Sequence, residues 1–451
     1  MHFTALLLPL LSLSTTTLVD AKPTHGKRST HLSREFNPFR RAASPPPESP
    51  RAVKVRRAKN GKSVVKKKKK RGTCQAPVHA NSTLSTSVAG SATSSFVAAS
   101  STSTSESSVY PSSIYPSASS ASASASAPSP SSSSSSDWYL VETVQGSNFF
   151  DSWNFWSWDD PTHGTVDYVD AATAWNEGLV SINSAGNAIM KVDTTEQVSG
   201  GRKAVRIHAN KVWTGGMVLM DAVHMPSGCG MWPAWWSNGP NWPNGGEIDI
   251  LEGVNAFTEN QVSLHTGDGC TMPNSMSGTQ SGQLTTGSFD SYNCASYATS
   301  NQGCGVRAVG DETSYGSGFN SVGGGVYALK WDKTGITAWW FPRSSIPSDI
   351  TADAPDPASW GTPMAHFPSD SCDPYKYFYD NFNIFTNTMC GDWAGADGVW
   401  NYAGYAGQSQ SCAAITGYSR CSDYVLNQGS AFADAYWEVQ YVKYFNSTTA
   451  V

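Results

Sequence analysis

Charge is scarce in this chain of 451 residues: Asp, Glu, Lys and Arg make up 14% of it, and the formal net charge is −5. That net value averages a very basic head with an acidic body, so by itself it points to no class of partner. Long apolar runs are also missing. The one stretch of note, Met1-His-Phe-Thr-Ala-Leu-Leu-Leu-Pro-Leu-Leu-Ser-Leu-Ser, is too short and too interrupted to hold a bilayer anchor. The C-terminal Asn446-Ser-Thr-Thr-Ala-Val451 offers no hydrophobic tail for a lipid anchor, so no membrane anchor is expected. There is no C-x-x-C pair and no cluster of His, which leaves zinc without ligands at the usual spacing. No apolar pattern of period 3.6 is sustained anywhere, and no internal repeat recurs at a fixed interval, so helical bundles and solenoids are both excluded.

What is present is unevenly spread. The apolar start ends at Val19-Asp20-Ala21, a small-x-small cleavage form, so residues 1–21 read as a signal peptide and the product as secreted, extracellular or wall-associated. Residues 22–71 are rich in Lys, Arg and Pro and end in Lys66-Lys-Lys-Lys-Lys-Arg71. Two readings stay open for them: a pro-segment cut at dibasic sites (Lys27-Arg28, Arg40-Arg41, Lys70-Arg71), or a tail that adheres to acidic wall polymers. Residues 72–136 are dominated by Ser, Thr, Ala and Pro, with almost nothing to bury. Such a composition cannot offset the entropy of ordering and reads as an O-glycosylated linker. Trp first occurs at position 138, and the segment 137–451 alone can bury a core; its length suits one large domain.

Nine Cys fit an oxidising compartment. Cys74 stands alone near the head. Cys229, Cys270, Cys294, Cys304, Cys372, Cys390, Cys412 and Cys421 make an even set, for which on the order of 100 pairings are possible. Asn81-Ser-Thr and Asn446-Ser-Thr are acceptor sequences for N-linked glycans in a secreted chain.

After Asp137 the texture changes to short β-rich runs punctuated by Gly, Asn, Asp and Pro, which predicts an all-β fold of two packed sheets. Val326 to Asp332 and Ile336 to Phe341 flank Asp332-Lys-Thr-Gly335 as a hairpin. In Tyr436 to Phe445, alternation places Trp437, Val439 and Tyr441 on one face against Glu438 and Gln440 on the other. Further strands are expected at Ala204 to His208, Met217 to Val223, Glu247 to Glu252 and Val262 to His265.

The segment Gly245-Gly-Glu247-Ile-Asp249-Ile-Leu-Glu252-Gly253 alternates acids and aliphatics like a half-buried strand. Glu247 and Asp249 share a face. Regular alternation would put Leu251 there next, with Glu252 on the wrong side; one extra residue, a β-bulge, turns Ile250 and Leu251 inward together and returns Glu252 beside Asp249. Three carboxylates then line one face, spanning roughly 13 Å between outer Cα atoms at ~3.3 Å per step. Carboxylates so crowded cannot all ionise cheaply, which separates an acid from a nucleophile. Upstream, Trp232-Pro-Ala-Trp235-Trp236 and Trp242 supply indoles of the kind that stack on sugar rings, with Trp232 read as core.

Taken together, the run from Gly230 to Asn255, and above all its E-x-D-x-x-E pattern, resembles the catalytic stretch of glycoside hydrolase family 16, in particular the fungal laminarinase and mixed-linkage glucanase branch. The resemblance implies a β-jelly-roll of two antiparallel sheets with an open cleft on the concave face, covering residues 137–451. It implies Glu247 as nucleophile, Glu252 as general acid/base and Asp249 as the assisting acid of a retaining hydrolysis, with outer carboxyl groups about 5 to 5.5 Å apart. It further implies substrate contacts from Trp235, Trp242, His265, Arg206, Asn176 and Trp393, and it needs neither metal nor cofactor. Tyr168 is placed equally well by packing or by contact with sugar hydroxyls. The expected partner is β-1,3- and mixed-linkage glucan, met by a monomer. Rival readings are a wall transglycosylase and a glucan-binding protein without turnover; a nucleic-acid binder built on the Lys run is excluded because that run lies behind the secretory start and outside the fold.

Overall fold

The computed structural model describes residues 136–285 and 291–449. The signal peptide, basic segment and Ser-rich linker, together with Cys74 and Asn81, lie outside the described residues. The regular structure in them is mostly strand, arranged as two large antiparallel sheets. One sheet runs from edge to edge through Gln283–Leu284, Cys304–Arg307, Gln261–His265, Glu247–Glu252, Met231–Asn238, Phe382–Met389, Arg206–Ala209 and Trp153–Phe155. The other runs through Ala365–Pro368, Gly335–Pro342, Gly325–Asp332, Gly216–His224, Tyr436–Ser447, Ala188–Lys191 and Val180–Ile182, and Trp138–Gln145 pairs with the far half of Tyr436–Ser447. These are called the site sheet and the back sheet below. The sandwich is the expected jelly roll.

Alternation explains the packing. Ile248, Ile250, Leu251, Val262 and Leu264 of the site sheet meet Val218, Met220, Leu329 and Trp437 of the back sheet in one buried core. The back sheet is apolar on its outer face as well: Trp138, Leu219, Val326, Trp339, Phe341 and Trp360 form a second layer over it. A third cluster, with Tyr168, Met231, Trp400, Val425 and Phe432, gathers near the C-terminal helical turns and contains four of the Cys.

The hairpin at Asp332-Lys-Thr-Gly335 forms in the expected register, with Asp332 opposite Gly335. The expected strand over Ala204 to His208 is divided into Arg202–Ala204, which pairs with Val166–Tyr168, and Arg206–Ala209 in the site sheet. Tyr436–Ser447 corrects one phase. The register slips between Val439 and Tyr441, so Trp437 and Val439 face the core as expected, but Tyr441 turns to the outer layer and Val442 and Tyr444 take the core side. A slip of one residue inverts every later side chain.

The even set of Cys forms four disulfides: Cys229–Cys412, Cys270–Cys372, Cys294–Cys304 and Cys390–Cys421.

Candidate active site

Glu247–Glu252 lies inside the site sheet, between Met231–Asn238 and Gln261–His265. Pairing fixes its faces: Glu247 sits opposite Asn238 and His265, and Asp249 opposite Trp236 and Ser263. On both sides the register then shifts, and Glu252 comes opposite Ala234 and Gln261. The extra residue is the expected bulge. Ile250 and Leu251 both enter the core, and Glu247, Asp249 and Glu252 share the face turned away from it.

A bulge leaves backbone groups without ladder partners, which costs about 1–3 kcal/mol for each buried group left unpaired. Here the fully buried Asn260 substitutes for the ladder. Its Oδ1 accepts from the Glu252 backbone N–H at 2.8 Å and its Nδ2 donates to the Ile250 carbonyl at 2.9 Å. Ser314 in turn accepts from the Asn260 backbone N–H at 2.9 Å. Glycines close off each end of the strand. At Gly246, φ is +75° and a Cβ would stand 2.2 Å from the Phe378 ring; at Gly253 it would meet the Tyr315 ring at 2.8 Å. Tyr315 therefore packs directly behind the strand end, and its hydroxyl is pushed well above the ordinary tyrosine range by burial first and by the charge of Glu252 second.

The carboxylates are nearly sealed, at 1%, 0% and 2% exposure for Glu247, Asp249 and Glu252, so buried donors must satisfy them. Trp242 Nε1 donates to Glu247 Oε2 at 2.6 Å, and Trp232 Nε1 donates to Glu252 Oε1 at 3.0 Å. His265 Nε2 lies 3.3 Å from Asp249 Oδ2. Glu247, Asp249 and His265 each present one ligating atom within 4.8 Å of the others, a set that could hold a cation. Two of those groups already pair with each other and the third receives the Trp242 indole.

Aromatic groups extend the face on both sides. The Arg206 guanidinium lies between the rings of Trp156 and Trp236, 4.8 and 5.1 Å from their centroids, and its Nε donates to His208 Nε2 at 2.9 Å. Burial, and then the Arg206 charge, hold His208 well below the ordinary histidine range. Trp393, on the turn Gly391–Ala394, meets Trp232 edge to face at 5.8 Å. The ring of Trp242 contacts that of Tyr297 edge to face at 6.1 Å, and Tyr297 is 73% exposed.

Of the residues expected at the site, the structure gathers Glu247, Asp249, Glu252, Trp242 and His265 directly, and Arg206 and Trp393 through Trp236 and Trp232. It does not bring Trp235 there. Trp235 pairs opposite Leu251 and Phe385, is fully buried, and stacks on Phe385 in the core; alternation gives the site face to Trp236 instead. Asn176 is not gathered either: it is exposed at the end of the short helix Ala171–Asn176, whose neighbours are Val180–Ile182 and, through Trp175, Phe150. Tyr168 is buried and its hydroxyl bonds Thr388 at 2.6 Å. Sequence reasoning missed Asn260 altogether, and in Trp232 it saw the buried ring without its N–H.

Residues 153–445 match the family model described as "XgeA-like, catalytic GH16 domain". The chain belongs to glycoside hydrolase family 16. Its GH16 relatives include fungal proteins. A probable glycosidase of Schizosaccharomyces pombe is 43% identical over 303 residues, covering 67% of each chain. A probable endo-1,3(4)-β-glucanase of Aspergillus niger is 41% identical over 319 residues, 70% of this chain and 41% of its own length. The present chain thus spans less than half of that longer relative. Among solved GH16 structures, laminarinase 16A from Phanerochaete chrysosporium, with 6-O-glucosyl-laminaritriose in both donor and acceptor sites, is 40% identical, with a TM-score of 0.61 over 68% of this chain and 99% of that one. An elongating GH16 β-1,3-glucosyltransferase is also 40% identical, with a TM-score of 0.61 over 68% of this chain and all of that one.

Proposed function

We propose that this chain is a secreted, retaining endo-β-glucanase that hydrolyses internal β-1,3 and mixed β-1,3/1,4 glucosidic bonds. The bulge carries the reading: it puts Glu247 and Glu252 on one face of one strand, each beneath an indole N–H, with Asp249 between them. Glu247 attacks the anomeric carbon while Glu252 passes its proton to the departing glucosyl oxygen, and a glycosyl–enzyme ester forms. Glu252 then takes a proton from water, which attacks the same carbon and releases Glu247, so configuration is retained. Asp249, held by His265, stands beside Glu247 and orients its charge.

Trp242, His265, Arg206 and Trp393 line the substrate path, and Trp236 takes the place expected of Trp235. The substrate class draws support from the endo-1,3(4)-β-glucanase names of the Aspergillus niger and Arthroderma benhamiae relatives and from the glucan bound to laminarinase 16A. The same reading assigns residues 1–21 to a leader, 22–71 to a processed basic segment, 72–136 to a linker and 137–451 to a monomeric catalytic domain. Among the described residues, no helix is long and apolar enough to cross a membrane.

One observation favours a second reading. The elongating glucosyltransferase is as similar as the laminarinase, and transfer to a sugar hydroxyl in place of water would use the same carboxylates. The test is product sizing with reducing-sugar release on laminarin, lichenan and barley mixed-linkage glucan, for wild type beside Glu252→Ala, with the product anomer followed by NMR. Short β-anomeric products from wild type alone are expected. Products longer than a starting oligosaccharide would turn the assignment to transglycosylase, and no products at all to a glucan-binding protein.

A further inference from the structure

The acceptor sequence Asn446-Ser-Thr falls at the end of Tyr436–Ser447, where the strand pairs with Trp138–Gln145. In that register Asn446 stands directly opposite Tyr139, and directly opposed side chains share a face with Cβ atoms roughly 4.5–5.5 Å apart. The neighbouring pair, Trp138 and Ser447, points to the other side, where Trp138 joins the outer apolar layer. Tyr139, on the Asn446 side, is 48% exposed. Within the described residues Trp138–Gln145 pairs only with Tyr436–Ser447, so the Tyr139 ring lies on an edge strand, a place where natural sheets need cover.

We propose that Asn446 carries an N-linked glycan whose first N-acetylglucosamine lies on the ring of Tyr139 and covers it. The proposal rests on the secretion reading, because the donor, an oligosaccharide linked to a lipid pyrophosphate, is met only on the secretory route. In the transfer, Asn446 Nδ2 forms a bond to C1 of the N-acetylglucosamine, the C1–oxygen bond to the pyrophosphate breaks, the lipid pyrophosphate leaves, and Nδ2 gives up one proton. Asn446 is half-buried, with Oδ1 turned to the Ser447 backbone N–H at 2.9 Å, and Thr448, the third residue of the acceptor sequence, is exposed. The apolar face of a pyranose matches an aromatic ring in a cross-strand position as another side chain would.

The test uses the full chain, expressed with its own N-terminus in a secreting yeast, and compares wild type, Thr448→Ala, Tyr139→Ala and the double variant. Peptide mass spectrometry should find hexosamine on Asn446 in wild type and Tyr139→Ala and none where Thr448 is replaced. Loss of the glycan should lower Tm by about 1–3 °C when Tyr139 is present and by less than about 0.5 °C when it is not. Retention of the chain inside the cell overturns the secretion reading, and the modification with it. An exported chain with unmodified Asn446 overturns the glycan alone. Equal losses of Tm in the two backgrounds overturn the contact with Tyr139.

Discussion

Trp242 and Trp232 each aim one N–H at one carboxylate, Glu247 and Glu252 respectively. Such a donor favours the ionised form, so its loss favours the protonated one. Replacing either indole with Phe keeps most of the ring and deletes the donor. If Glu247 must be ionised and Glu252 protonated in the first step, Trp242→Phe should move the acidic limb of the kcat/KM pH profile upward, and Trp232→Phe should move the alkaline limb upward. Each should also cost about 10- to 100-fold in rate, the value of a hydrogen bond to a charged group. Movement of the same limb in both variants would contradict the division of roles. The carboxylates themselves were legible from the E-x-D-x-x-E run taken with the Trp cluster just upstream and the family resemblance, since such a run alone also suits an ordinary exposed acidic face. Their aromatic surroundings were legible only in part: Trp242 was expected at the site, but Trp235 and Trp236 are adjacent and chemically alike, and only the pairing of Trp236 with Asp249 decides which indole faces the site. Trp232 reads as core in the sequence because its ring is core; the N–H that reaches Glu252 depends on how two strands lie against each other.

The bulge was legible in its own residues, since Ile250 and Leu251 are two aliphatics in a row where a regular strand allows one. Its support was not, because Asn260 comes eight residues later, where the chain enters Gln261–His265, and nothing local ties it to Glu252. Asn260→Leu has similar volume and cannot bond the Glu252 N–H or the Ile250 carbonyl. Stability should fall by about 2–6 kcal/mol in denaturant titration, the sum for two buried groups left unpaired. The folded fraction should also lose kcat, because Glu252 is no longer held to its face. A variant that unfolds normally but turns over poorly would still place Asn260 in charge of Glu252, whereas wild-type values for both would remove it from the site's support. The slip at Gln440 in Tyr436–Ser447 left no comparable trace: Tyr441 is amphipathic enough to read as core from sequence and to pack in the outer layer in fact.

For the domain as a whole, three histidines respond to burial in the same direction. His208, His224 and His366 are all held below the ordinary histidine range, each chiefly by desolvation. The unfolded chain takes up their protons near pH 6.5, while the folded chain resists until lower pH, so stability is lost as pH falls through that value. Asp221 works in the opposite sense: its carboxyl is raised chiefly by burial, against the pull of Arg343, so its share is lost as pH rises. Tm should therefore climb by a few degrees from pH 5 to a plateau above about pH 7, read by calorimetry; a flat or falling curve would contradict it. The two-sheet sandwich was legible from short alternating runs, and an even cysteine count implied four bridges, but which sulfurs meet is decided by tertiary position alone. Two of the bridges interlace: Cys229 reaches forward to Cys412 past Cys390, which itself reaches past Cys412 to Cys421. One cut of the backbone at any point between Cys229 and Cys421 therefore frees no fragment. A nicked molecule stays a single covalent particle, with the Trp393 turn and the carboxylate strand still tied together.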